Sequence, residues 1–388
     1  MSEVFASGPY PHLNACVGEN TAGDNSYGYM TGFAQATEVL LEAAKKQYYE
    51  VAGTDEMRGV YMDALIYPIC FCMRHHIELF LKRQLLKVSR LRNPSIDVPA
   101  IHELGDLLDA LKEACETEDR RLSPKLAALE STITAFDRMD PNGQTFRYST
   151  SNDGTPHLAD VSHINLAVLG EAVTHFNAAA DDFDHYVEAI AQEYWQGTFT
   201  KKLSRVDLYE LAEALPAQDT WGEPTGRFLE VKKEFSQKFE LSGKEFSTAV
   251  DAIKAHRYFG SLIGVSLPLP HVDASDIDLF ATGLPSAELA GRLPREKWSA
   301  WHAIYEVGAQ GMYSEYFDFL LARLLDEESE TRSYPSDVLR FARQSPLKVL
   351  HGLKRLGQKD LVQHFEQVMA QAIQDEEKRR ASPHPLSD

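Results

Sequence analysis

The densest group of chemistry-bearing residues is Arg74-His75-His76-Ile77-Glu78, continued by Leu79-Phe80-Leu81-Lys82. On a helix, Arg74 and Glu78 are i,i+4 neighbours, and so are Glu78 and Lys82. The three form a charged ladder on a segment whose other faces are apolar. Arginine grips phosphate through paired N–H bonds, and a histidine near neutral pKa moves protons. The ladder is therefore either a polar groove that holds phosphate or a partner, or an ion ladder that orients a half-buried helix. The second group is Asp140-Pro141-Asn142-Gly143-Gln144-Thr145-Phe146-Arg147-Tyr148. Asp-Pro-Asn-Gly is strong turn chemistry. Phe-Arg-Tyr then presents a cation between two rings. Arg147 either faces the same groove as Arg74 or pins its loop by stacking or pairing with an acid.

Three further constellations carry less. Arg295 and His302 in REKWSAWH have the spacing Arg-x6-His, but Trp298 and Trp301 beside them favour packing. Asp181, Asp182, Asp184 and His185 bring carboxylates and an imidazole together, and read best as a solvated acidic face. His256-Arg257 reads as a helix end, where positive charge is favoured. No cysteine or second histidine stands at ligand spacing, so no metal is expected. There is no GxxxxGK[ST], GxGxxG, GxSxG, HExxH or paired CxxC. NTPase, dinucleotide oxidoreductase, α/β-hydrolase and zincin chemistries lose their main support, and no cofactor is expected.

The elements that must position these residues are helical. Periodicity predicts helices over about 30–51, from Tyr61 to about Leu91, and over about 101–116 and 123–140. Pro68 implies a kink or late start in the second. Ser123 is the expected cap of the fourth, with Pro124 in its first turn. Residues 141–157 read as turns. Val161, Ile164, Val168, Ala172, Phe176, Ala179, Phe183, Val187, Ile190 and Tyr194 step by three or four through one long helix. Further helices follow: one opened by a capping box at Ser204 and Asp207, then about 245–264, about 299–330 with a break at Gly308–Gly311, and three more ending at EEKRR, the middle one stopped by Gly357. The only strand candidate is SLIGVSLPLPHVD, weakened by its prolines. The fold class is all-α: an irregular leader at 1–28, a helical domain at 29–197, a second at 198–380 and a tail at 381–388.

Composition bounds the partners. The chain has 388 residues, 39 Lys+Arg against 58 Asp+Glu, and a formal charge of −19. Its whole surface is too acidic to coat nucleic acid or an anionic membrane, which leaves only a local basic groove for RNA. No apolar run approaches the roughly 18–20 residues that span a bilayer. The first residues lack a basic stretch followed by an apolar one, so no secretory signal is expected. Cys16, Cys70, Cys72 and Cys115 are too few and too scattered for a disulfide framework, which fits reduced thiols in a cytoplasmic protein.

YPICFCMRHHIELFLK (67–82), then His102-Glu103-Leu104 opening the next helix, then DPNGQTFRYS (140–149) resembles bacterial HEPN-like proteins in order and spacing. The resemblance covers about residues 30–195. It implies a helical bundle, commonly dimeric, of a kind that serves in toxin–antitoxin and antiviral defence systems as a metal-independent endoribonuclease. In that mechanism an RNA 2′-hydroxyl attacks the adjacent phosphate, a histidine acts as acid and base, and an arginine stabilises the phosphorane. The positions carried over are Arg74, His75, Glu78, His102 and Arg147, with Lys82 beside them. Arg74 and Arg147 would hold phosphate, His75 or His102 would exchange protons, and Glu78 would orient Arg74 or a histidine. The family's usual Arg-x4–6-His does not occur within 30–195, where Arg74 is followed at once by two histidines, and Ser149 stands in place of a proline. The alternative is a HEPN-like module that binds RNA, a nucleotide or a partner protein without catalysis, with specificity, and a protein contact, from the C-terminal half.

Overall fold

A computed structural model describes residues 10–17, 25–51, 61–97, 100–151, 153–223, 226–282, 285, 288, 292–311, 313–326 and 334–381. The predicted link at 55–60, nearly all of the tail and much of the leader lie outside these. Among the described residues the chain is all-α. The only β pairing is an isolated bridge between Thr150 and Pro156, and SLIGVSLPLPHVD contains no strand. The chain divides into two compact units, 1–192 and 193–388.

The first unit contains α1 (Ser26–Val51), α2 (Tyr61–Ser89), α3 (Leu104–Glu118), α4 (Ser123–Ala127), α5 (Glu130–Met139) and α6 (Leu166–Tyr194), whose last two residues fall in the second unit. α2 runs through Pro68 and lies between α1 and α3. It is the one helix among the described residues with the length and apolarity to cross a bilayer. The count of unbroken apolar residues missed this, because Arg74 and Glu78 are few enough to be averaged away. Its apolarity faces protein: Ile69, Met73, Ile77, Leu81 and Phe80 are fully enclosed. Each such side chain contributes about 1.5–3 kcal/mol of burial. Phe80 meets Phe176 and Phe183 of α6 edge to face, at 5.7 and 6.1 Å.

Several boundaries differ from the periodicity. The single helix expected at 123–140 is two, because the chain tightens at Ala128 and Leu129 into turns that bond back to Lys125 and Leu126. Ser123 is not a cap. A 3-10 turn at Arg120–Leu122 feeds directly into α4, so Ser123 is already helical and its hydroxyl donates to Glu116 instead. α6 starts later than Val161, at a cap made by Asn165, whose side chain accepts from the N–H groups of Ala167 and Val168.

The second unit has two separate cores. One gathers α7 (Arg205–Ala214), α8 (Arg227–Lys238), α9 (Gly243–Ala255) and α10 (Arg257–Leu262) around Leu208, Val231 and Phe246. The other gathers α11 (Ala274–Ala281), α12 (Arg295–Ala309), α13 (Tyr316–Leu325), α14 (Pro335–Gln344), α15 (Pro346–Arg355), α16 (Lys359–Val368) and α17 (Ala370–Ala381) around Trp301, Phe317 and Phe365. The Ser204–Asp207 capping box forms, and so does the stop at Gly357, where φ is +68°. α12 and α15 cross backbone to backbone. A Cβ at Gly308 would lie 1.8 Å from the Lys348 carbonyl, and one at Gly352 would lie 2.0 Å from that of Ile304.

Candidate functional site

The carried-over residues gather in the first unit where α2, the residues preceding α3 and the 140–148 turn meet. Arg74 lies inside this junction, 3% exposed. Its Nε donates to the Asp140 carbonyl (3.3 Å) and its Nη1 to Glu78. Its Nη2 donates to the carbonyls of His102 (3.0 Å) and Pro141 (3.2 Å). One side chain thus ties three segments that are distant in sequence. The turn is shaped to sit on it. Gly143 has φ of +74°, and a Cβ there would come 3.2 Å from the Arg74 guanidinium carbon. Asp140, fully buried, steadies the turn by accepting from the Thr145 N–H at 2.9 Å, and its other oxygen lies 4.0 Å from Arg74 Nε.

Glu78 is the hub. One oxygen takes Arg74, with His75 Nδ1 at 3.8 Å. The other accepts from Lys82 at 2.7 Å and lies 3.1 Å from His102 Nδ1. Burial opposes the carboxylate charge, but the nearby His75, the hydrogen bonds from Lys82 and His102 and the field of Arg74 outweigh it. Glu78 is therefore held well below the usual carboxylate range. Lys82 Nζ also lies 3.0 Å from His102 Nδ1. That nitrogen either carries a proton and donates to Glu78, or is bare and accepts from Lys82. In either state the His102 Nε2 edge points away from Glu78, on a side chain 71% exposed.

Arg147 is exposed, but the expected pair of rings is only half right: Tyr148 flanks it, while Phe146 is buried and Phe71 of α2 takes the other side. Its guanidinium lies 5.8 Å from the Phe71 ring centre and 5.4 Å from that of Tyr148. Phe71 stacks on His75 one turn along α2 (6.0 Å, 5° between planes), and Phe33 of α1 meets His75 edge on at 4.4 Å. So the five carried-over residues separate into two layers. Arg74 and Glu78 are an interior pair. His75, His102 and Arg147, with Lys82, form the half-exposed and exposed rim. His76 belongs to neither layer. It is buried, donates from Nδ1 to the Met30 carbonyl at 3.0 Å, and is pushed below its ordinary pKa by burial.

The weaker constellations resolve into packing. Arg295 Nη2 donates to the Leu324 carbonyl at the end of α13, while His302 lies against Phe341 and Glu306. The acidic face of α6 is not wholly solvated, because Asp184 accepts from Gln84 and Lys87 of α2 (2.5 and 2.7 Å). Among the described residues no group of three or more His, Cys, Asp or Glu is placed to hold a metal.

Sequence reasoning missed a second interior cluster. In the second unit, Arg205 meets Glu315 bidentately at 2.8 and 2.9 Å and also faces Glu193 at 3.4 Å. His256 Nε2 lies 3.1 Å from Glu315 and 3.0 Å from the Ser314 hydroxyl. A Ser–His–Glu set invites a nucleophile reading, but the geometry refuses it. His256 Nδ1 accepts the Phe259 N–H at 3.1 Å as the cap of α10. The ring's proton therefore sits on Nε2, which cannot also take one from Ser314. His256 breaks the helix expected at 245–264 into α9 and α10. The available signal was the capping geometry of His-x-x-Phe, which period counting does not see. No family model, curated protein or solved structure matches the chain.

Proposed function

We propose that the first unit is a HEPN-like module that binds RNA through its rim without cutting it. The observation that carries this reading is the engagement of Arg74. Its four hydrogen bonds go to Glu78 and to three main-chain carbonyls, so the arginine that would stabilise a phosphorane is a structural tie. What faces outward is Arg147, Lys82, His75 and His102 beside Phe71 and Tyr148. These are cations for the phosphates and rings for unpaired bases. The test is binding of total RNA and tRNA to the full chain in EDTA, with Arg147→Ala and Lys82→Ala beside it. Each lost phosphate contact lowers the slope of log affinity against log salt by about one. Unchanged slopes in both variants would remove the reading.

A second reading, metal-independent endoribonuclease, is favoured by one feature: a histidine set against an ionised carboxylate with its far nitrogen in solvent. Glu78 and His102 have the arrangement of an acid/base and its orienting group. RNA cleavage that survives chelation and disappears in His102→Ala would select it. Intact RNA under the same conditions, with binding retained, selects the first. Arg74→Ala does not discriminate, because it removes the tie as well as the charge.

A further inference from the structure

Between α5 and the first turns of α6 runs a cleft of about 460 Å³, within the first unit and apart from the rim described above. Phe136 and Met139 of α5 form one wall and Val168 and Ala172 of α6 the other, with Cys70 of α2 and Phe146 of the turn also in its lining. The size lies in the range of small-molecule sites. The lining is overwhelmingly apolar and includes no charged side chain. Small residues on both walls, Ala135 and Ala172, leave the room. Val168 stands 64% exposed at the edge, a large apolar side chain left to water.

We infer that this cleft binds a neutral, elongated aliphatic molecule. The α6 wall repeats at positions 165, 168, 169 and 172, one strip of a helix about 10 Å long, which suits a chain laid along it rather than a compact ring. Neutrality follows from charge. Among the described residues no cation lines the cleft to receive an anion, and the buried Asp140 carboxylate works with burial to push the Cys70 thiol up to about 12.

The experiment titrates the full chain with 1-decanol and, separately, with decanoate, following melting temperature and displacement of Nile red. Saturable binding of 1-decanol, at least tenfold tighter than decanoate, is expected. Ala172→Trp and Ala135→Trp, each filling the cleft from one wall, should abolish it, whereas Arg147→Ala should leave it intact. Neutral phosphatidylcholine vesicles in a second arm separate the sources: flotation lost in Ala172→Trp assigns a lipid chain, and no flotation assigns a free molecule. Absence of saturable 1-decanol binding in the unsubstituted protein overturns the inference. So does equal binding of decanoate, an undiminished response in both tryptophan variants, or a self-association that those variants abolish.

Discussion

Each unit carries one arginine buried against a glutamate and a histidine, and the two sets are built differently. In the first, Arg74 donates mainly to main-chain carbonyls, and Glu78 divides its oxygens among Arg74, Lys82 and two imidazoles that reach solvent. In the second, Arg205 grips Glu315 with both Nη atoms, and His256 is locked at one nitrogen by the α10 cap and faces the carboxylate with the other. The residue types are nearly the same. What differs is whether the histidine has an edge left for anything outside the protein. His102 has one and His256 does not, so composition alone does not mark a working site.

The largest effect that would break this comparison is Arg74→Leu against Arg205→Leu. The first leaves the buried Glu78 and the second the partly buried Glu315 without its main partner, and each should cost about 3–5 kcal/mol of unfolding free energy, read by denaturant titration. An Arg74→Leu loss below 1 kcal/mol would show that the tie is dispensable. Next comes His256→Ala, which removes a helix cap from the interior and should cost about 0.5–2 kcal/mol. His102→Ala should cost under about 1 kcal/mol, because Arg74 holds its main chain and not its ring. Equal losses would erase the distinction drawn here.

Acid sharpens it further. Glu78 and Glu315 both titrate below their ordinary value of 4.5 in the folded chain. The fold favours their charged forms, so their contribution is complete above 4.5 and drains away as pH falls beneath it. Glu78→Gln and Glu315→Gln should each flatten the decline of stability on that acid limb and lower stability at neutral pH. An acid limb that neither substitution changes would place the titration elsewhere. The smallest expected effect is Arg147→Ala, within about 0.5 kcal/mol of the unsubstituted protein by thermal melting, since its side chain contributes surface stacking alone.

The helical class and the Arg74–Glu78–Lys82 ladder were legible in the sequence, whereas the place of His102 beside them was implied only by the resemblance. An i,i+4 ladder is a local fact, while the approach of residue 102 and the 140–148 turn to it is made by tertiary packing across 28 and 67 positions. The interior place of Arg74 was not legible, because its acceptors are carbonyls, which no residue type announces. Arg205 and Glu315 were invisible for another reason: 110 positions separate them, and nothing but tertiary packing joins them. The split of 123–140 and the division of 245–264 failed in a third way, although His256-Arg257 does stand at the helix end its charge suggests. Their apolar spacing stays helical while single residues change backbone conformation.

Because Arg74 holds the carbonyls of residues 102, 140 and 141, the tie is indifferent to which side chains two of those positions carry. Exchange of the side chain at His102 leaves this main-chain acceptor in place. The scaffold thus separates inheritance of shape from inheritance of chemistry. Its outer layer can change side chains, one substitution at a time, over an inner knot that stays closed.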